Sequence, residues 1–347
     1  MKESVVSEFG GLRNVRRKAV SVSTESLVKT SQLDGAELLP LVIEPGVENV
    51  NLIAWAALNR EWIEAQLLKH GGILFRGFDI AGVEQFEEFA RTISPQLLDY
   101  RERSSPRSEV SRGIYTSTDH PADQYIHFHN EQSYTHSWPM KLWFFCVQPA
   151  ERGGATLIAD ARKVLSLLKP ATQERFRQKK VKYVRNYGDN FGLSWQVAFQ
   201  TENRADVEKY CRKAFIGFEW KDEEHLRTSQ VFEPIVAHPR TGESLWFEHT
   251  AFFHVSSVEP VLREALLTEF DEEDLPFNTY YGDGSPIEDP ALDEIREAYK
   301  QTTVRFDWRE NEVLLIDNML TSHGREPFAG PRKIVVAMAE LFPPSNF

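Results

Sequence analysis

The sequence predicts an α+β fold in which a double-sheet β core is wrapped by helices. Three observations carry that expectation. Short strand-like runs recur from Tyr125 to the end of the chain. Helical periodicities gather at the front and in inserted segments, between and around those runs. No internal repeat, low-complexity tract or uninterrupted run of 18 apolar residues occurs, so neither a repeat array nor a transmembrane helix is expected. At 347 residues, the chain is long enough to bury a large core.

The elements follow in order. Residues 1 to about 35 are rich in Ser, Thr, Lys and Arg and read as a poorly ordered arm ahead of one domain, 36–347. Leu39-Pro-Leu-Val-Ile43 is a short strand candidate. Between Asn51 and His70, apolar residues at Ile53, Ala56, Ala57, Trp62, Leu67 and Leu68 trace the stripe of an amphipathic helix, which Gly71-Gly72 end. Ile73–Gly77 is a buried strand, and Gly82–Ile93 a helix with Phe86, Phe89 and Ala90 inward. From Leu97 to Asp123 there is no clean period, as in a functional loop held by a scaffold.

Strands then dominate, at Tyr125–His129, Lys141–Gln148 and Ala155–Ile158. Helices near Ala161–Leu168 and Ala171–Lys179 precede a strand at Val181–Tyr187. Residues 188–230 read as a mostly helical insertion. Val231–Ala237 and Glu243–Glu248 flank the turn His238-Pro-Arg-Thr-Gly242 as a hairpin. Two more helices, Val261–Phe270 and Leu292–Tyr299, lead to strands at Thr303–Asp307, Glu312–Ile316 and Arg332–Phe342.

Forty basic against 52 acidic side chains give a net charge of −12. That balance argues against a nucleic-acid or anionic-membrane binder, whose affinity comes from Lys and Arg meeting phosphate. The two cysteines, Cys146 and Cys211, lack CxxC spacing and make neither a disulfide framework nor a zinc knuckle. The N-terminus has no signal-peptide core, and a reducing cytoplasm is expected.

The densest group of chemically capable side chains is His127-Phe-His129-Asn-Glu131. In an extended strand, His129 and Glu131 would share a face and could hold adjacent corners of one metal. The second half is Asp317-Asn-Met-Leu-Thr-Ser-His323-Gly-Arg325, with His323 expected at the head of a Gly- and Pro-punctuated loop before a strand that begins at Arg332. Two neutral imidazoles and a carboxylate would cover one face of an octahedral iron(II) and leave three positions open. His127 shares the strand face and reads as a pocket or core group rather than a ligand. Trp246, Phe247, Phe252 and Phe253 read as core and pocket wall, and Asp271-Glu-Glu-Asp274 as a solvated face. A zinc hydrolase is the competing reading of a His/Glu/His set, although no HExxH-like spacing supplies its general base.

The chain resembles the TauD/TfdA-type Fe(II)/2-oxoglutarate-dependent oxygenases from about Ile73 to Phe342. The strings that carry the resemblance are His129-Asn-Glu-Gln-Ser-Tyr134, Glu151-Arg-Gly-Gly-Ala-Thr156, His323-Gly-Arg325 and the trailing Arg332. Ser104-Ser-Pro-Arg107, Tyr115-Thr-Ser-Thr118 and Asp317-Asn-Met bring it closer to the clavaminate-synthase-like branch, with its syringomycin-type amino-acid hydroxylases. The resemblance implies a double-stranded β-helix, or jelly roll, with Fe(II) as cofactor and 2-oxoglutarate and O2 as cosubstrates. His129, Glu131 and His323 would be the iron ligands. Arg332 would grip the distal carboxylate of 2-oxoglutarate through its fork, with Arg325 the rival for that role, and Thr156 would add its hydroxyl. Arg107, Thr118, His127 and Asn130 are substrate-contact candidates.

Glu131 stands where Asp is commoner in the family. Related halogenases have a small residue there, so a retained carboxylate favours hydroxylation. Desaturation and ring closure are other outcomes of the same chemistry. The branch implies an amino acid or amino-acid-derived substrate of specialised metabolism, free or presented on a carrier protein. The resemblance also leaves room for a homo-oligomer.

Overall fold

The apolar strands expected from the sequence are buried on both faces, and this organises the molecule. The computed structural model describes residues 27–33, 35–99, 108–117, 120–188 and 192–343. An eight-stranded sheet runs in the order Val28–Gln32, Leu41–Pro45, Gly72–Phe75, Val313–Asp317, Trp138–Gln148, Lys333–Phe342, Ile114–Thr116, Glu109–Ser111. Along Val313–Asp317, alternate residues serve two layers. Val313 and Leu315 join Phe75, Trp143 and Phe145 against the helical residues Trp55, Ile63, Phe86 and Phe89. Leu314 and Ile316 face the other way, with Leu142, Val336 and Met338, and meet Ile158 and Phe306 of a second sheet.

That second sheet has four strands, in the order Val304–Phe306, Thr156–Asp160, Thr321–Arg325, Ile126–His129. The two sheets and the helical layer make the jelly-roll α+β architecture expected from the sequence. Burying a Phe or Leu side chain contributes roughly 1.5–3 kcal/mol, and both layers are rich in them.

Local differences have local causes. The helix expected over 51–70 is two, Leu52–Leu58 and Arg60–His70. They join at Asn59, whose side-chain amide donates to the Trp55 carbonyl at 2.7 Å and offers the backbone an alternative to a helix interior. The arm expected over 1–35 gives way to structure before its end: Val28–Gln32 pairs antiparallel with Leu41–Pro45 through all five residues. Residues 1–26 of that arm lie outside the described residues.

Segment 188–230 is helical in its first half only, at Trp195–Phe199 and Arg204–Lys213. Its second half supplies Gly217–Trp220 and the start of Leu226–Phe232, which extend a separate four-stranded sheet with Val181–Tyr187 and Phe277–Tyr281. The register pairs β-branched and aromatic residues across strands, a long-range contribution that local aromatic content does not distinguish from helix.

Candidate metal centre

His129 is the last residue of Ile126–His129, and His323 sits in the middle of Thr321–Arg325, where the antiparallel register sets the two directly opposite. Their ring centroids are 4.3 Å apart. His323 therefore rides on a strand rather than heading a loop. Gly324 makes this possible, because a Cβ there would lie 2.7 Å from the Ile126 carbonyl oxygen. Glu131 lies in the turn just beyond the first strand, so a turn and not a shared strand face brings it to the histidines. One ligating atom from each of the three lies within 4.8 Å of the others, and all three residues are buried.

The turn is braced from behind. The Glu131 backbone N–H donates to Asn318 Oδ1 at 2.8 Å. The Asn318 amide donates to the carbonyls of Glu131 and Pro139, each at 2.9 Å. Asn130, fully buried, donates to the Asn318 carbonyl at 2.7 Å and accepts from Ser322 Oγ at 3.0 Å. Its amide is spent inside the protein, which fits a brace and not the substrate contact expected of it. His129 Nδ1 lies 2.8 Å from the His127 carbonyl. Donation there fixes the tautomer with its lone pair on Nε2, the usual arrangement of a metal-bound imidazole.

The two arginines separate by their partners. The Arg325 guanidinium donates to the carbonyls of Pro121 at 2.7 Å, Gln124 at 2.9 Å and His120 at 3.3 Å. It pins the 120–124 loop. Arg332 donates from Nε to the Gly154 carbonyl at 3.3 Å. Burial, aided by neighbouring Arg325, pushes its guanidinium down to about 10, as expected of a cation that lacks a full complement of anionic partners. Gly154 takes φ 71 beside it; a Cβ there would press Phe328, Ala150 and the Arg332 Cδ at 3.0–3.1 Å. Thr156 accepts from Trp308 Nε1 at 2.7 Å, which leaves its own hydroxyl proton to donate.

Several neighbours escaped the sequence reading. His249 is buried, 4.9 Å from the His129 ring, with Nδ1 2.7 Å from Ser133 Oγ. Burial, then the nearby His129 and His323, hold its imidazole well below the usual range and hence neutral. Next to it, Glu248 accepts from Trp246 Nε1 at 2.9 Å and from the Thr250 backbone; burial raises its carboxyl. Trp308, His249 and Glu248 follow no motif spacing, and only the fold brings them to the site. Arg107 and Thr118 lie outside the described residues.

His127 is exposed and packs 6.0 Å from Phe252, which itself lies 5.2 Å from the His129 ring. It lines a cavity of about 970 Å³ together with Asp123, Tyr125, Phe252 and Leu262. A smaller cavity of about 410 Å³ shares Tyr125, His127 and Phe252 with it and is walled also by Arg296, Lys300 and Arg305.

Two buried imidazoles and one carboxylate, with ligating atoms within 4.8 Å of one another, are the donor set that suits Fe(II) and leaves positions for other ligands. Residues 34–338 match the family described as taurine catabolism dioxygenase TauD, TfdA family. The chain is 40% identical over 283 residues to the dapdiamide synthesis protein DdaC of Enterobacter agglomerans, covering 82% of this chain and 86% of that one. It is 24% identical over 291 residues to a clavaminate synthase-like protein of Arabidopsis thaliana, covering 81% and 85%. Among solved structures, PvcB of Pseudomonas aeruginosa is similar with a TM-score of 0.55 at 16% identity, over 92% of this chain and 93% of its own, a likeness of fold. Among the described residues, no helix is long and apolar enough to cross a membrane.

Proposed function

This chain belongs to the taurine catabolism dioxygenase TauD, TfdA family, and from that premise we propose that it hydroxylates an unactivated C–H bond of an amino acid or amino-acid-derived metabolite, free or presented on a carrier protein. The family uses Fe(II), 2-oxoglutarate and O2, and membership sets aside the zinc hydrolase. The observation that carries the reading is the buried His129, Glu131, His323 group, whose ligating atoms fall within 4.8 Å of one another.

In this reading, those three residues hold the iron, and Arg332 and Thr156 hold the distal carboxylate of 2-oxoglutarate. Bound there, iron and 2-oxoglutarate supply the O2-dependent oxidation, with 2-oxoglutarate leaving as succinate and CO2. The protein's own part is placement. Asn318 and Asn130 keep the Glu131 turn in register, and the His127 carbonyl keeps the His129 tautomer. Phe252 and Phe144, the latter 5.2 Å from the His323 ring, keep water away from the ligands. The DdaC relative, named for dapdiamide synthesis, supports a role in specialised metabolism. Residues from about 27 onward act as one oxygenase domain, with the segment 188–230 as an appendage on its outer sheet.

Anaerobic titration of the protein with Fe(II) and 2-oxoglutarate tests the reading. A metal-to-ligand charge-transfer band is expected, and its absence would refute the proposal. A substrate screen follows succinate together with a mass gain of one oxygen, run on free amino acids and on carrier-bound forms.

A further inference from the structure

The cavity of about 970 Å³ is far larger than a free amino acid needs and stands at the upper end for small-molecule sites. It adjoins the candidate metal centre, because Phe252 is at once part of its wall and a neighbour of the His129 ring at 5.2 Å. We propose that this cavity is the substrate chamber, and that it takes an elongated amino-acid derivative in which a protonated amine is carried on an apolar chain. The proposal rests on the dioxygenase reading and narrows its substrate class.

The wall supports an apolar chain. Tyr125, Phe252, Leu266, Leu275 and Phe277 line it, and so does Leu262, which keeps 48% of its surface exposed in the protein alone. Leu262 belongs to the helix Pro260–Glu269, in which Leu266 is the one buried residue. A ten-residue helix with so little of its surface covered has apolar area left for a ligand to remove from water.

The charge of the wall supports the amine. Asp123 and Glu259 line the cavity, and no lysine or arginine does so among the described residues. Asp123 forms no salt bridge among the described residues. Glu259 caps its helix by accepting from the Val261 and Leu262 backbones at 3.0 and 3.2 Å. His120, on the same wall, is held toward the neutral form, chiefly by burial. The Asp123 loop is a fixed wall, since Arg325 grips three of its carbonyls and the Phe328 N–H donates to the Ala122 carbonyl at 2.7 Å. Of the basic side chains nearby, Arg325 is engaged by the loop carbonyls, and Arg296, Lys300 and Arg305 line the smaller cavity.

The test is calorimetric titration of the metal-free full chain with n-octylamine, n-octanol and n-octanoate. The amine is expected to bind roughly tenfold more tightly than the carboxylate, the modest preference that two exposed carboxylates give. Asp123→Asn should reduce that preference and leave octanol binding unchanged, and Leu262→Asn should weaken all three. Equal binding of amine and carboxylate overturns the proposal. Tighter octanoate binding overturns it too and points to the smaller, basic cavity. An unchanged amine affinity in both variants would place the site elsewhere. The charge-transfer titration is independent of these probes. A band without amine preference sinks this inference alone, whereas an absent band sinks the dioxygenase reading.

Discussion

Replacing His129 or His323 with alanine removes one of the two imidazoles assigned to iron, and turnover should vanish while circular dichroism stays close to that of the parent. Glu131→Gly should be graded, because both imidazoles remain: iron content falls in part and single-turnover product falls steeply. Wild-type yield with full iron would make His127 the ligand to test. Arg332→Gln should weaken 2-oxoglutarate binding by about 2–5 kcal/mol, the cost of removing one partner of a buried charge pair, as read from the charge-transfer titration. Arg325→Gln should instead loosen the 120–124 loop and leave that affinity within a few fold; the reverse outcome would swap the two roles.

His254 gives a residue-scale prediction about pH. Its Nδ1 accepts from the Ser256 backbone at 3.1 Å, and burial, with Arg296 nearby, pushes the imidazole down to about 4 from an ordinary 6.5. The folded state therefore resists a proton that the unfolded chain takes up. Stability present above pH 6.5 is lost as pH falls toward 4, by about 3 kcal/mol in all. His254→Asn keeps a capping acceptor without the titration. Urea midpoints of the two proteins should nearly coincide at pH 7.5 and diverge in favour of the variant at pH 5.

At the scale of elements, the site depends on two strands in register and on one turn held by Asn318. The HxE and HGR strings were legible in the sequence because a metal needs those donors wherever the backbone runs. What was not legible is that Glu131 reaches its place through a turn and His323 through a strand. Asn318→Ala would strip the Glu131 turn of two hydrogen bonds and Pro139 of a third, and would strand a buried N–H, at about 1–3 kcal/mol for the orphaned group. Both the urea midpoint and the affinity for Mn(II) should drop. A lowered midpoint with unchanged Mn(II) affinity would mean that Asn318 holds the fold but not the ligand turn.

For the whole molecule, stability should be uneven. All five residues of Val313–Asp317 are buried between the helical layer and the second sheet, while Pro260–Glu269 buries Leu266 alone. Hydrogen exchange should therefore find that strand protected to near the global unfolding limit and that helix open at much lower free energy. Equal protection would contradict the layer assignment. By itself, the sequence determined the β-rich layered class, the order of most elements and the donor types, since apolar periodicity and ligand chemistry are local properties of the chain. The tertiary structure alone decided that Arg325 braces a loop while Arg332 stands beside Gly154, and that Trp308, His249 and Glu248 join the site. It also decided that the end of segment 188–230 completes a sheet. Each of these depends on which distant residues the strand register and the packing of layers bring within reach, and no local pattern encodes that distance.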